Sequence, residues 1–373
     1  MKKTFFLIIG CIFLFNQAYS QVYTNKIVGE KNEVLKDSIE KKGYPYSLPI
    51  WGKKAAAKGY QLPYSAGISV NYFWQESDLI IDNLMVGFNN GEMQNMDEII
   101  RFDNAKASAS SINIRPDIWL FPFLNLYGVF AKAKTSTSIN AGVYLPDFDS
   151  TWSQVTSIST TAKFDATALG FGLTPTIGVA GIWMAFDMNF VWTSVSALDK
   201  PVFTFVFDPR IGKTFQFKNP NMNIAAWVGA FRVKFTSETS GSIDLSELFP
   251  PGEMQAIVDQ GFVKVDETSQ QVETWWSGLT PVEQKNPINA TKYDAANKAL
   301  EKSAGILTAA DAALNDETSA TVQYSLDKAL KNMWNVVIGT QFQINRHFMV
   351  RAEYGFLGTR NQFIGGLQYR FGL

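Results

Sequence analysis

Few residues in this chain offer a starting point for catalysis. His347 is the only histidine and Cys11 the only cysteine, so a histidine-dependent triad or a thiol site would rest on one residue. His347 stands in the tight link Asn345-Arg346-His347, and no HExxH, CxxC, GxSxG or phosphate-loop pattern occurs. Asp147 and Asp149 flank Phe148, a spacing that suits a calcium ion or an acid–base pair, although loop aspartates are usually just solvated. No enzymatic activity and no metal or cofactor is expected. The informative ionisable residues are Arg115, Asp117, Asp187, Asp208, Arg210, Arg232, Lys234, Arg351, Glu353 and Arg370, because each falls within a segment of alternating apolar residues. Both signs are present, so they suit either mutually neutralising pairs or a polar surface with a mild basic bias. Trp275-Trp276, followed by Gly278 and Pro281, reads as an aromatic knob on a turn that packs a cap or binds a partner or sugar.

Composition limits what can position these groups. The 373 residues carry 33 basic and 34 acidic side chains, so a nucleic-acid partner, which needs a basic surplus, is not expected. At 46% hydrophobic and 18% charged the chain is too apolar for disorder, and one cysteine excludes a disulfide framework. Residues 1–20 have the three parts of a secretory signal: Lys2 and Lys3, an apolar stretch from Thr4 to Phe15, and small residues in Ala18-Tyr19-Ser20. Cleavage there would remove Cys11. Beyond Gln21 the longest apolar run, Ile177 to Phe186, is far short of the roughly 20 residues a spanning helix needs.

What the chain shows instead is period-two alternation in blocks of about ten residues, the length of a tilted transmembrane strand. Phe363, Gly365, Leu367, Tyr369, Phe371 and Leu373 oppose Ile364, Gly366, Gln368, Arg370 and Gly372. Phe348, Val350, Ala352, Tyr354 and Phe356 oppose Met349, Arg351, Glu353 and Gly355. Similar blocks give strands near 66–75, 106–118, 182–193, 202–217, 223–236 and 333–344, with weaker ones at 124–137 and 161–174. In the 223–236 block, Trp227, Gly229, Phe231, Val233 and Phe235 read as the apolar face and Arg232 and Lys234 as the polar one. So many large aromatics would overfill a small soluble barrel but crowd nothing when they face lipid. The fold class is therefore all-β: a transmembrane antiparallel β-barrel of about ten strands over 65–373. Twelve strands result if Leu79 to Phe88 adds a hairpin. Links near 76–105, 138–160 and 237–332 read as long loops, and those near 119–123, 175–181, 218–222 and 345–347 as short turns.

The closing block Gly366-Leu367-Gln368-Tyr369-Arg370-Phe371 resembles the last strand of Gram-negative outer-membrane β-barrel proteins, although here Leu373 follows the aromatic. The resemblance implies an outer-membrane location, contact with outer-membrane lipid and recognition of that strand by the barrel-assembly machinery. The ten charged residues then line the lumen. A barrel of this size lies between side-chain-filled and open ones, which favours a plugged or gated interior. The leading functional expectation is passage of small polar or anionic solutes. The alternative is a non-conducting barrel that uses its 237–332 insertion to bind a partner or polysaccharide. Residues 21–64 read as a periplasmic lead or a plug. The insertion reads as an extracellular, partly helical cap, with Tyr293, Ala296, Leu300 and Ala304 on one helix face.

Overall fold

The computed structural model describes residues 44–373 except 59, 61, 148–151, 180, 197, 220, 237, 250–251 and 316–319. The signal sequence expected over 1–20, the lead up to 43, Phe148 and Asp149 lie outside the described residues. The strands are β1 (Ala66–Phe88), a short β2 (Gln94–Asn95), β3 (Ile100–Phe121), β4 (Leu124–Pro146), β5 (Trp152–Val179), β6 (Ile182–Val195), β7 (Val202–Gln216), β8 (Asn223–Phe235), β9 (Glu238–Asp244), β10 (Thr321–Leu330), β11 (Trp334–Gln343), β12 (Phe348–Leu357) and β13 (Arg360–Phe371). The helices are α1 (Gly52–Ala57), α2 (Leu245–Leu248), α3 (Glu253–Gly278), α4 (Pro281–Gln284) and α5 (Pro287–Leu314).

Ten strands close on themselves in the order β1-β3-β4-β5-β6-β7-β8-β11-β12-β13, and β13 pairs back to β1 from Ala66↔Phe371 to Ser77↔Arg360. All ten segments read from alternation are barrel strands. The outward face is apolar around the ring: Val70, Ile112, Phe130, Phe171, Trp192, Ile211, Val228, Ile338, Val350 and Leu367 are each more than two-fifths exposed. This belt, with every barrel strand paired on both sides, meets the two demands of hydrocarbon, apolar contact and no free backbone edge. No described helix is long and apolar enough to cross a membrane.

Leu79 to Phe88 adds no hairpin to the ring. It continues β1 upward, and above Asp78 its neighbour changes from β13 to β10, with Leu79↔Leu330 and Phe88↔Val322 as the limits of the new pairing. The stretches 76–105 and 138–160, expected as long loops, are likewise mostly strand. At ~3.3 Å per residue the 23 residues of β4 reach about 75 Å, well beyond what a bilayer needs. The reason is visible in Ser153-Gln154-Val155-Thr156-Ser157-Ile158-Ser159-Thr160: outside the belt both faces are largely polar, so the apolar signal is lost while the ladder between β4 and β5 continues. β5, β4, β3, β1, β10 and β9 thus form a second tier above the membrane ring.

The insertion contributes β9 and β10 to this tier and a helical hairpin above it. Val272, Ala296 and Leu300 form the seam between α3 and α5. Ile306 packs with Leu84, Met96 and Ile99, while Met254 and Leu314 reach the cluster of Ala162, Ile243, Leu245 and Val322. By the period of two, Ala162 shares the inner face of β5 with Ala166, Ala168 and Gly172, so the hairpin is rooted inside the upper wall, over the bore. Lys264 Nζ to Asp147 Oδ1 at 2.6 Å and Lys302 Nζ to Glu98 Oε2 at 3.1 Å tie it to the rim.

At the short-turn end, Asn345 Oδ1 accepts from the amides of His347 (2.8 Å) and Phe348 (2.9 Å), the side-chain geometry that makes Asn a turn residue. The described part of the lead, 44–64, runs along this rim. Ser47 N donates to Leu373 O and Ile50 N to Leu120 O, both at 2.8 Å, and Trp51 packs on Phe121 and Phe123.

Candidate functional site in the bore

The bore is filled by side chains in three levels. Nearest the short turns, Asp117 is ion-paired with Arg370 Nη2 (3.0 Å) and accepts from Asn125 Nδ2 (2.9 Å) and Gln368 Nε2 (2.6 Å). Arg370 Nε also donates to the Tyr64 carbonyl at 3.0 Å, which fixes the lead to the last strand.

The middle level is organised by Arg210, which reaches Asp187 Oδ2 at 3.1 Å, Asp208 Oδ2 at 3.5 Å and Glu353 Oε2 at 3.6 Å. Glu353 Oε2 also accepts from Arg351 Nη2 (3.0 Å) and Trp227 Nε1 (2.7 Å). Asp187 is held further by Thr174 Oγ1 at 3.0 Å and by the Tyr127 hydroxyl. Guanidiniums in this setting are paired because an isolated ion removed from water costs several kcal/mol. Both Arg210 and Arg351 lie against the Trp227 ring, 5.8 and 5.1 Å from its centroid.

Above this, Arg360 Nη2 donates to Gln75 Oε1 at 2.7 Å, Asn335 Nδ2 to Gln362 Oε1 at 3.3 Å, and the Arg360 guanidinium lies 5.1 Å from the Phe231 ring. Arg360, Gln362, Asn335, Val337 and Glu353 are at most 2% exposed.

Of the ten charged residues singled out in the sequence, Asp117, Asp187, Asp208, Arg210, Arg351, Glu353 and Arg370 belong to these levels, and Arg115 lines the cavity beside them. Arg232 and Lys234 do not. Arg232 is paired with Phe207 and Trp334, and Lys234 with Phe205, all on the outer face. The inner face of β8 is Ala225, Trp227, Gly229, Phe231 and Val233. The sequence reading turns Trp227, Gly229, Phe231, Val233 and Phe235 outward and Arg232 and Lys234 inward, and the structure reverses it; Ala226, Val228 and Ala230 make the other face apolar too, so the charges misled. The rings belong inside because they lie over glycines on the neighbouring strand. Trp227 opposes Gly339, Trp183 opposes Gly212 and Tyr127 opposes Gly172, and a Cβ at any of these glycines would collide with the ring.

Sequence reasoning also missed Arg360, which stands just before the block 362–373; counting back by two from Gln362 places it inward. Trp275 and Trp276 lie in the last turn of α3 rather than on a turn. Trp276 stacks on Tyr293 with centroids 4.3 Å apart, and Lys292 Nζ lies 5.2 Å from the Trp275 ring. Tyr293 donates to Glu273 Oε1 at 2.6 Å, which raises its phenol pKa. Glu283 is held below the usual carboxylate range by its bonds from Thr280 in a capping box.

The bore leaves a cavity of about 130 Å³ in its short-turn half, lined by Arg115, Asp117, Asp187, Arg210, Arg351 and Arg370 together with Trp119, Trp183, Trp227 and Tyr127.

These features define a transmembrane antiparallel β-barrel. Among solved structures, the chain is similar to the transport unit of the autotransporter AIDA-I from Escherichia coli (11% identity, 93% of this chain and 100% of that one, TM-score 0.33). It is also similar to the translocator domain of autotransporter NalP from Neisseria meningitidis (9%, 82% and 88%, TM-score 0.31) and to a Pseudomonas aeruginosa FadL homologue (7%, 82% and 90%, TM-score 0.27). At such TM-scores these likenesses carry no argument, and the fold rests on strand pairing and the apolar belt. No family model and no curated protein sequence matches the chain.

Proposed function

We propose that the protein is an outer-membrane barrel, sealed by its own side chains, that holds its upper wall and helical hairpin outward as a binding platform. One observation carries the reading: Arg360, Gln362, Asn335 and Val337, with Glu353 of the middle level, are none of them more than 2% exposed and occupy the bore beneath the hairpin. Both ends of the described barrel, Ala66 and Phe371, lie at the short-turn end, which suits a periplasmic side there and, on this reading, a tier and hairpin outside. The hairpin tip supports a binding role, since Val282 and Ile288, in and just after the link that follows Trp275 and Trp276 in the chain, are 81% and 76% exposed. A protein or polysaccharide is the partner class such an aromatic and apolar tip suits.

The short-turn cavity favours passage of a small solute as the second reading. Planar-bilayer recordings of the full chain and of a variant lacking residues 245–320 separate the two. Silence from both, with loss of cell-surface adhesion in the variant, supports the sealed platform. Discrete conductance steps appearing on deletion overturn it and support a roofed conduit.

A further inference from the structure

The cavity in the short-turn half of the bore is unevenly charged. Four guanidiniums line it, from Arg115, Arg210, Arg351 and Arg370, against the two carboxylates of Asp117 and Asp187. Three of the four are committed: Arg210 to Asp187, Arg351 to Glu353 and Arg370 to Asp117, at 3.0–3.1 Å. Arg115 forms no ion pair among the described residues; its guanidinium lies 5.5 Å from the Tyr127 ring, whose hydroxyl is already engaged with Asp187 and Asn189.

Around the same space, Arg115 Nε, Trp183 Nε1 and Thr176 Oγ1 are buried without a hydrogen-bond partner among the described residues. Trp183 is 4% exposed and Thr176 1%, and both line the cavity. A buried donor left unpaired is costly, and native structures rarely tolerate several in one place without an ion or water to satisfy them. Trp183 and Thr176 are also diagonal neighbours on the inner face, since Thr176 opposes Ala185 and Gly178 opposes Trp183.

We infer that this cavity is a binding site for one small oxyanion, a carboxylate of a few non-hydrogen atoms, with Arg115 as its charge partner and the Trp183 indole N–H and Thr176 hydroxyl as donors. The guanidinium fork matches two carboxylate oxygens in a way a spherical halide does not, and indole is a donor only, so it pairs with an acceptor. The volume of about 130 Å³ suits an acetate-sized molecule and excludes a long acyl chain or a sugar. The site stands apart from the sealed-platform reading, because a sealed bore and a conduit could each hold it.

Sodium acetate titrated into the folded full-length protein in detergent micelles, at ionic strength held constant with sodium chloride, tests the site. Trp119, Trp183 and Trp227 line the cavity and report occupancy by fluorescence. Acetate should give a saturable change that chloride alone does not. Arg115→Gln should weaken it by at least about tenfold, the scale of one hydrogen bond to a charged group. Trp183→Phe should weaken it less, and heat-modifiable gel migration reports whether each variant is folded. A response that never saturates, or an equal affinity in wild type and folded Arg115→Gln, overturns the assignment.

Discussion

Trp227 lies across Gly339, its directly opposed residue on β11, and from that position its indole N–H donates to Glu353 at 2.7 Å. The glycine is required by the ring above it rather than by backbone conformation. Gly339→Ala would push the indole off Glu353 and crowd a filled bore. Overpacking of this kind costs about 1–3 kcal/mol. Urea unfolding in lipid vesicles, followed by tryptophan emission, should show a lower midpoint. Thr340→Ala on the outer face should leave the emission of Trp227 unchanged.

Arg210 is the shared counter-ion of Asp187, Asp208 and Glu353. Arg210→Met removes it and leaves three enclosed carboxylates facing one another. Loss of one partner from a buried charge cluster costs about 3–5 kcal/mol. The expected result is a barrel that fails to become heat-modifiable at 37 °C. Partial recovery on adding Glu353→Gln would identify charge, not volume, as the cause.

The outward placement of Arg232 and Lys234 has a direct test. Replacing both with Ala should change folding yield into vesicles little, since neither belongs to the bore network. By contrast Leu367→Arg, on the belt, should cost about 2–4 kcal/mol, the penalty for a cation at the bilayer midplane. Equal losses from the two changes would contradict the assignment of the β8 faces.

The hairpin tip should loosen in acid. Glu283 has a pKa below its ordinary 4.5 because Thr280 bonds to its charged form. A depressed folded pKa contributes stability above the unfolded value and loses it as pH falls through the folded value. The protection of amides at the start of α4 against exchange, relative to their intrinsic rate at each pH, should therefore fall as pH drops below 4.5 through the depressed folded pKa. Glu283→Gln should show the reduced protection already at pH 7.

The ring of ten strands was readable because hydrocarbon imposes a strict period of two, and Leu367, Val350 and Ile338 carry it without exception. The bore was readable only where one face was polar. On β6 Asp187 marked the inside, whereas β8 has apolar residues on both faces and its Trp227 is held inward by Gly339 on another strand. That information is non-local and no single segment contains it. The upper tier was missed for a related reason: outside the belt, Ser and Thr on both faces of β5 between 153 and 160 look like loop, although they pair with β4. Helix α5 was visible in Ala296 and Leu300, but its root at Ile306 depends on Leu84, Met96 and Ile99 far away in the chain.

The handover on β1 at Asp78 has a consequence for biogenesis. The backbone amide of Leu373 is tied to Ser65, 308 residues earlier, and joining ends so far apart costs on the order of 5 kcal/mol in chain entropy. Until then the first strand would stand as an open edge prone to wrong partners. β10 shortens that search: once it has seated along Leu79–Phe88, only the three last strands remain to be threaded home, and their register along Ala66–Ser77 is already dictated from above. The second tier thus acts as a basting stitch, holding the seam in line before it is sewn.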